Sequence, residues 1–146
     1  LTFKFTFQGG KEVLRTISAT AGNVTTNLSP GTGKRWLVNR GSLILQTNAT
    51  VVNRYIKVQV TNGTNIIETL GYCGPFSASQ RGSLNLGEGR VQGSSAVMGN
   101  NEDNVNGYIG IDGMILSNSD QLRITIFGGE AGDSYSGYFV VLEVDV

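Results

Sequence analysis

Two segments close the chain: Gln121-Leu122-Arg123-Ile124-Thr125-Ile126-Phe127 and, after a loop over 128–137, Tyr138-Phe139-Val140-Val141-Leu142-Glu143-Val144-Asp145-Val146. In the first, Leu122, Ile124 and Ile126 share one side and Arg123, Thr125 and Phe127 the other, the period of two that marks a half-buried strand. The same count puts Tyr138, Val140, Leu142, Val144 and Val146 on one face of the second, taken as the core face. Phe139 and Val141 then lie opposite, ahead of Glu143 and Asp145. Apolar residues on a face turned away from the core need a cover. Phe127, Phe139 and Val141 are therefore expected to line a contact between subunits, with a loop or the N-terminal strand of the same chain as the alternative cover.

The rest of the chain reads the same way. Leu1, Phe3, Phe5 and Phe7 alternate with Thr2, Lys4, Thr6 and Gln8, and Gly9-Gly10 stops the run. A second extended stretch runs from Glu12 to Ala19. Arg35 to Val38 and Leu43 to Gln46 are two strand halves whose phase breaks at Gly41, the mark of a bulge. Val52 to Thr61 leads into Asn62-Gly63, a strong hairpin signal, with Asn65 to Leu70 as the returning arm. Gly71-Tyr72-Cys73-Gly74-Pro75 reads as a turn, and Asp112-Gly113 as a second hairpin between Tyr108–Ile111 and Met114–Leu116. Arg54 shares parity with Ile56, Val58 and Val60, so a charge on the core side must pair or reach turn carbonyls. No segment keeps a helical period. Short strands with turns at this spacing predict an all-β chain, a jelly-roll-like two-sheet antiparallel β-sandwich forming one domain over 1–146.

Composition narrows the chemistry. The 146 residues include 21 glycines, 2 prolines, 1 cysteine and no histidine, and 15% are charged. Without histidine there is no Ser-His-Asp triad, no Cys-His pair and no His-containing zinc site. A single Cys73 rules out an intrachain disulfide, and it reads as a small buried hydrophobe. The longest unbroken apolar run is Phe139 to Leu142, far short of the ~20 residues that span a bilayer, so no membrane is expected. The net charge of zero hides an asymmetry. Residues 1–60 hold eight basic side chains against Glu12 alone, and residues 61–146 hold ten acids against three arginines. These blocks form either two surfaces for different partners or, if strands of the two halves interleave, one mixed surface. No basic cluster is interleaved with stacking aromatics, so no nucleic-acid partner is expected.

The motif-like fragments are incomplete. Gly31-Thr32-Gly33-Lys34 lacks both the leading glycine and the Ser or Thr of a phosphate loop. Gly132-Asp133-Ser134-Tyr135-Ser136 departs from a nucleophile elbow at its last position and has no histidine to serve as base. Glu102, Asp103, Asn104 and Asn106 have some calcium-ligand spacing, but the twelfth position is Gly113, where a bidentate glutamate belongs. Asp112, Asp120, Glu130 and Asp133 cluster near loops without a spacing that pairs them. No catalytic residue, metal or cofactor is expected, and the chain reads as a non-enzyme.

One segment carries a resemblance. Gly33-Lys34-Arg35-Trp36-Leu37-Val38, Leu43-Ile44-Leu45-Gln46-Thr47 and Asn48-Ala49-Thr50-Val51-Val52-Asn53-Arg54-Tyr55-Ile56 resemble a recurrent segment of tailed-bacteriophage structural proteins. In those, a Gly-Lys/Arg-Arg-Trp strand, an apolar strand and a Thr-Val-x-Asn-Arg lead-in to a third strand precede a hairpin. The likeness covers about residues 30–70. It implies a virion structural role, of the capsid decoration (cement) kind, often a homotrimer seated on the major capsid protein at the capsid surface. On that reading Lys4, Lys11, Arg15, Lys34 and Arg35 face acidic capsid surface. The alternative is a carbohydrate- or receptor-binding domain of a tail fibre, with Trp36, Tyr72, Tyr108 or Tyr135 as stacking platforms. A trimeric ligand of the tumour-necrosis or complement type is a further alternative.

Overall fold

The computed structural model describes residues 9–20, 24–87, 97–101, 104–111 and 113–146. Lys4 and the alternating segment 1–8, the acids Glu102 and Asp103 of the calcium-like loop, and Asp112 lie outside the described residues. The described chain forms β1 (Lys11–Thr20), β2 (Thr25–Leu28), β3 (Lys34–Gln46), β4 (Arg54–Thr61), β5 (Ile66–Phe76), β6 (Arg81–Gly87), β7 (Val97–Asn101), β8 (Asn104–Gly110), β9 (Ile115–Leu116), β10 (Gln121–Phe127) and β11 (Ser134–Asp145). The larger sheet runs β1-β11-β3-β6-β8-β7, with β9 on β3, and the smaller β2-β10-β4-β5. Every pairing is antiparallel except β6 with β8. The architecture is a jelly-roll-like β-sandwich, as the strand periodicity predicts.

Inward side chains of both sheets meet in one core. Ile56, Val58, Val60, Leu122, Ile124 and Ile126 come from the smaller sheet; Trp36, Val38, Leu43, Leu45, Leu84, Ile109, Phe139 and Val141 come from the larger. The smaller sheet thus follows the alternation read from sequence. The last strand follows it only in part: Val140 and Val144, expected inside, are buried. Phe139 and Val141, expected at a subunit contact, are 1% and 0% exposed inside the chain's own core, whereas Tyr138, expected inside, is 40% exposed. Leu142 and Val144 pack with Leu37 in a small second cluster on the other face of the larger sheet.

The inversion has a local cause. Val140 pairs with Arg40 but Val141 with Val38, so Asn39 of β3 is the extra residue of a bulge. The bulge carries Trp36 and Val38 inward before it and Leu43 and Leu45 inward after it, the phase break that Gly41 signals in the sequence. Gly41 also makes the inward turn of Phe139 possible, since a Cβ there would lie 2.5 Å from the Phe139 ring. A ring of that size needs a missing side chain opposite, and parity alone does not reveal it.

Two turn expectations also change. The hairpin at Asn62-Gly63 forms as a four-residue loop, in which the Asn62 side-chain oxygen accepts the Thr64 and Asn65 amides at 3.0 and 2.7 Å. Gly71 to Pro75 is not a turn but part of β5, which stays paired to β4 across register shifts. The stretch after Gly113 forms β9, which pairs with β3 and not with β8.

Candidate functional site

The segment that leads from β3 into β4 is built around one buried cation. Arg54 is fully buried at the start of β4. Its guanidinium has five N–H donors and makes five hydrogen bonds. Nε donates to Asp133 Oδ2 at 2.9 Å and Nη2 to Asp133 Oδ1 at 3.2 Å. Nη2 also donates to Asn48 Oδ1 at 2.7 Å, and Nη1 donates to the Thr50 and Val52 carbonyls at 2.8 and 2.7 Å. The carboxylate is equally occupied, accepting the backbone amides of Asn48 and Glu130 at 2.7 and 2.8 Å. Burial works against ionising Asp133, yet the bonds from Arg54 and the two amides outweigh it and hold the carboxyl below its ordinary value of 3.8. Asn48 Nδ2 donates to the Ala131 carbonyl at 2.6 Å, which ties the β10–β11 loop to the same point.

This knot sets the neighbouring residues. Tyr55 follows Arg54 and by strand alternation points to the outer face of the smaller sheet. There it stands opposite Phe127 of β10, and Lys57, two residues on, stands opposite Tyr72 of β5. Tyr55 and Tyr72 meet edge to face with centroids 6.3 Å apart, and the Lys57 ammonium sits 4.6 Å from the Phe127 ring centroid. Two glycines fit the backbone to this arrangement. A Cβ on Gly74 would come within 2.7 Å of the Tyr55 ring. Gly128, at φ +71°, brings the chain after Phe127 so close that a Cβ would lie 2.2 Å from the Asn53 carbonyl. The result is an outer face on which three aromatic rings gather around Lys57, Phe127 being 44% exposed.

The expected contact residues divide. Phe127 lies on this exposed face; Phe139 and Val141 belong to the core. Of the basic group, Arg15 binds Glu143 at 3.0 Å and lies over the Trp36 ring, and Lys34 pairs with Asp145, which raises the Lys34 ammonium above its usual range. Glu143 also accepts Trp36 Nε1 at 2.7 Å, which with Arg15 holds its carboxyl below the ordinary range. The acidic β11 lies between the basic β1 and β3, so the two charge blocks intermix and Arg15 and Lys34 are tied to acids of their own chain. Lys11 is exposed on β1 and Arg35 half-buried on β3. Of the sugar-stacking candidates, Trp36 and Tyr135 are buried, the latter bonded through its hydroxyl to Thr26, while Tyr72 and Tyr108 are partly exposed.

The motif fragments have structural occupations. Asp133, in the fragment akin to a nucleophile elbow, is the Arg54 counter-ion. Asp120 accepts the Ser117 amide and hydroxyl at 2.9 and 3.0 Å and closes a turn. Among the described residues no cluster of three potential metal ligands occurs, and no helix is long and apolar enough to cross a membrane. Tyr55 and the pairing of Arg54 with Asp133 escaped sequence reasoning. The parity of Arg54 announces that an anion is needed, but nothing along the chain says which of the eleven acids supplies it.

No protein-family profile and no curated protein matches the chain. Solved structures share a distant likeness. The Drosophila NLP-core, described in terms of pentamer formation and histone binding, is 8% identical with a TM-score of 0.39, covering 90% of this chain and 98% of that one. A Bacillus endospore appendage, from a family of disulfide-linked pili, is 11% identical with a TM-score of 0.38, covering 94% and 88%. The infectious bursal disease virus Gx strain is 14% identical with a TM-score of 0.43, covering 90% of this chain and 32% of that one. Likenesses of this size assign neither family nor function.

Proposed function

We propose that the chain is a non-enzymatic structural component of a virion, of the capsid-decoration kind, which assembles with copies of itself, as a homotrimer, through the aromatic outer face of its smaller sheet. The observation that carries this reading is the exposed Phe127, with Tyr55 opposite it on β4 and Tyr72 edge to face with Tyr55, on the outer side of the strand whose first residue, Arg54, anchors the buried knot. Aromatic residues are enriched at the centres of protein–protein contacts, where rigid rings bury large areas at small entropic cost. The segment resembling tailed-bacteriophage structural proteins supports the virion setting, and it holds Asn48, Thr50 and Arg54 of the knot. The fate of Asp133 and Asp120, both engaged in structural bonds, supports a role without chemistry.

A decoration protein binds the assembled shell and not its dispersed subunits, so it stabilises particles by mass action. Particles lacking the chain should rupture at lower temperature than complete ones, and adding it back should restore them. A melting curve that does not change on removal and re-addition would refute the reading.

A further inference from the structure

We infer that the outer face of the larger sheet, opposite the aromatic platform, carries a binding groove for a short oligosaccharide, preferably one bearing a carboxylate. Register puts Tyr138 of β11, Ser42 of β3, Asn85 of β6 and Tyr108 of β8 in one row across four adjacent strands. Strand alternation turns this row outward, since Phe139, Leu43, Leu84 and Ile109 beside it point into the core. Together with Asn39 and Arg40 from the bulge, Tyr138, Asn85 and Tyr108 line an open groove of about 480 Å³.

The chemistry of the lining matches a sugar. Tyrosines stand at both ends, three strand spacings or about 14 Å apart, long enough for a short oligosaccharide. A tyrosine ring offers an apolar face to the C–H side of a pyranose and a polar edge to its hydroxyls. Between the rings, the amides of Asn39 and Asn85 both donate and accept, which suits hydroxyl groups that do the same. Arg40 is exposed and makes no ion pair among the described residues. Its planar fork suits a carboxylate. Gly87 adds a geometric sign: a Cβ there would come within 2.7 Å of the Tyr108 hydroxyl, so the ring leans along the sheet over β6. The bulge at Asn39 both turns Tyr138 outward and places Arg40 beside it. This site is independent of the assembly reading, because it lies on the other outer face and uses none of the same residues.

The test is a titration of the intact chain with trigalacturonate and sialyllactose, both carboxylated, and with neutral maltotriose, followed by calorimetry and by tyrosine fluorescence. Saturable binding of a carboxylated sugar is expected, weakened at least tenfold by Tyr138→Ala and by Asn85→Ala. Arg40→Ala should erase the preference over maltotriose, and Gly87→Ala, which displaces the Tyr108 ring, should weaken binding without changing oligomeric state. No saturable binding to any of the three, or binding that Tyr138→Ala leaves unchanged, would overturn the site. Equal binding of maltotriose and the carboxylated sugars by the unaltered chain would overturn the role of Arg40.

Discussion

Arg54 and Asp133, 79 positions apart in the chain, meet as a two-point ion pair with bonds of 2.9 and 3.2 Å in a site closed to solvent. Such a pair contributes little over an apolar filling, but breaking one half leaves the other charge buried alone. Asp133→Asn is therefore expected to cost about 3–5 kcal/mol, read from urea denaturation. Arg54→Met should cost a similar amount, and the double variant less than the sum of the two, because the second change removes a charge already stranded.

Acid should weaken the same pair. The Asp133 carboxyl titrates lower in the folded chain than in the unfolded one, so the unfolded chain takes up its proton first. The contribution is whole above the ordinary value of 3.8 and drains as the pH falls below it. Glu143 acts with the same sign from a more exposed position. Stability measured against pH should fall steeply below about pH 4, and the slope should be shallower in Asp133→Asn, which has one fewer such group.

The inverted face of β11 makes a paired prediction. Phe139→Ala should lose about 3–5 kcal/mol, because it empties a core site. Tyr138→Ala, on the solvent side, should stay within about 0.5 kcal/mol. Thermal melts of the two variants distinguish them, and the reverse order would restore the parity read from sequence.

Cys73 is fully buried, and burial pushes its thiol up to about 11. It should resist a disulfide exchange reagent in the native state and react in full only on unfolding, at a rate that follows global opening. Rapid labelling of the native chain would contradict the packing around β5.

What was legible in the sequence follows from period two. The inward residues of β4 and β10 alternate without interruption, and so do their side chains in the core. The same rule fails in β11, where Val140 and Val144 are buried as the parity predicts, but Phe139 and Val141 on the opposite face are buried too and Tyr138 is not. The choice of face depended on Gly41 opposite Phe139 and on the bulge at Asn39, features of the partner strand β3. A bulge was visible there as a phase break, but its effect on β11 required knowing that the two strands pair. The candidate site was half legible. Phe127 stands out as an aromatic on a polar face, whereas its companions Tyr55 and Tyr72 come from strands joined to it only by register. The charge asymmetry left two readings open, and the strand order decides for the mixed surface, because β11 lies between β1 and β3 and its acids pair with Arg15 and Lys34.

The proposed contact between copies of the chain at the Phe127 face fixes the mass of the protein in solution. It is tested most directly by light-scattering mass measurement of the wild-type chain and Phe127→Asp at matched concentrations, with melting curves to check folding. Phe127 lies on the outer face, so the substitution leaves the core intact, while a carboxylate there has no partner in a closed contact. The wild type is expected at three times the chain mass of 15.5 kDa and the variant as a folded monomer. A wild-type chain that is monomeric across the accessible concentrations, or a variant that keeps the wild-type mass, would contradict the account.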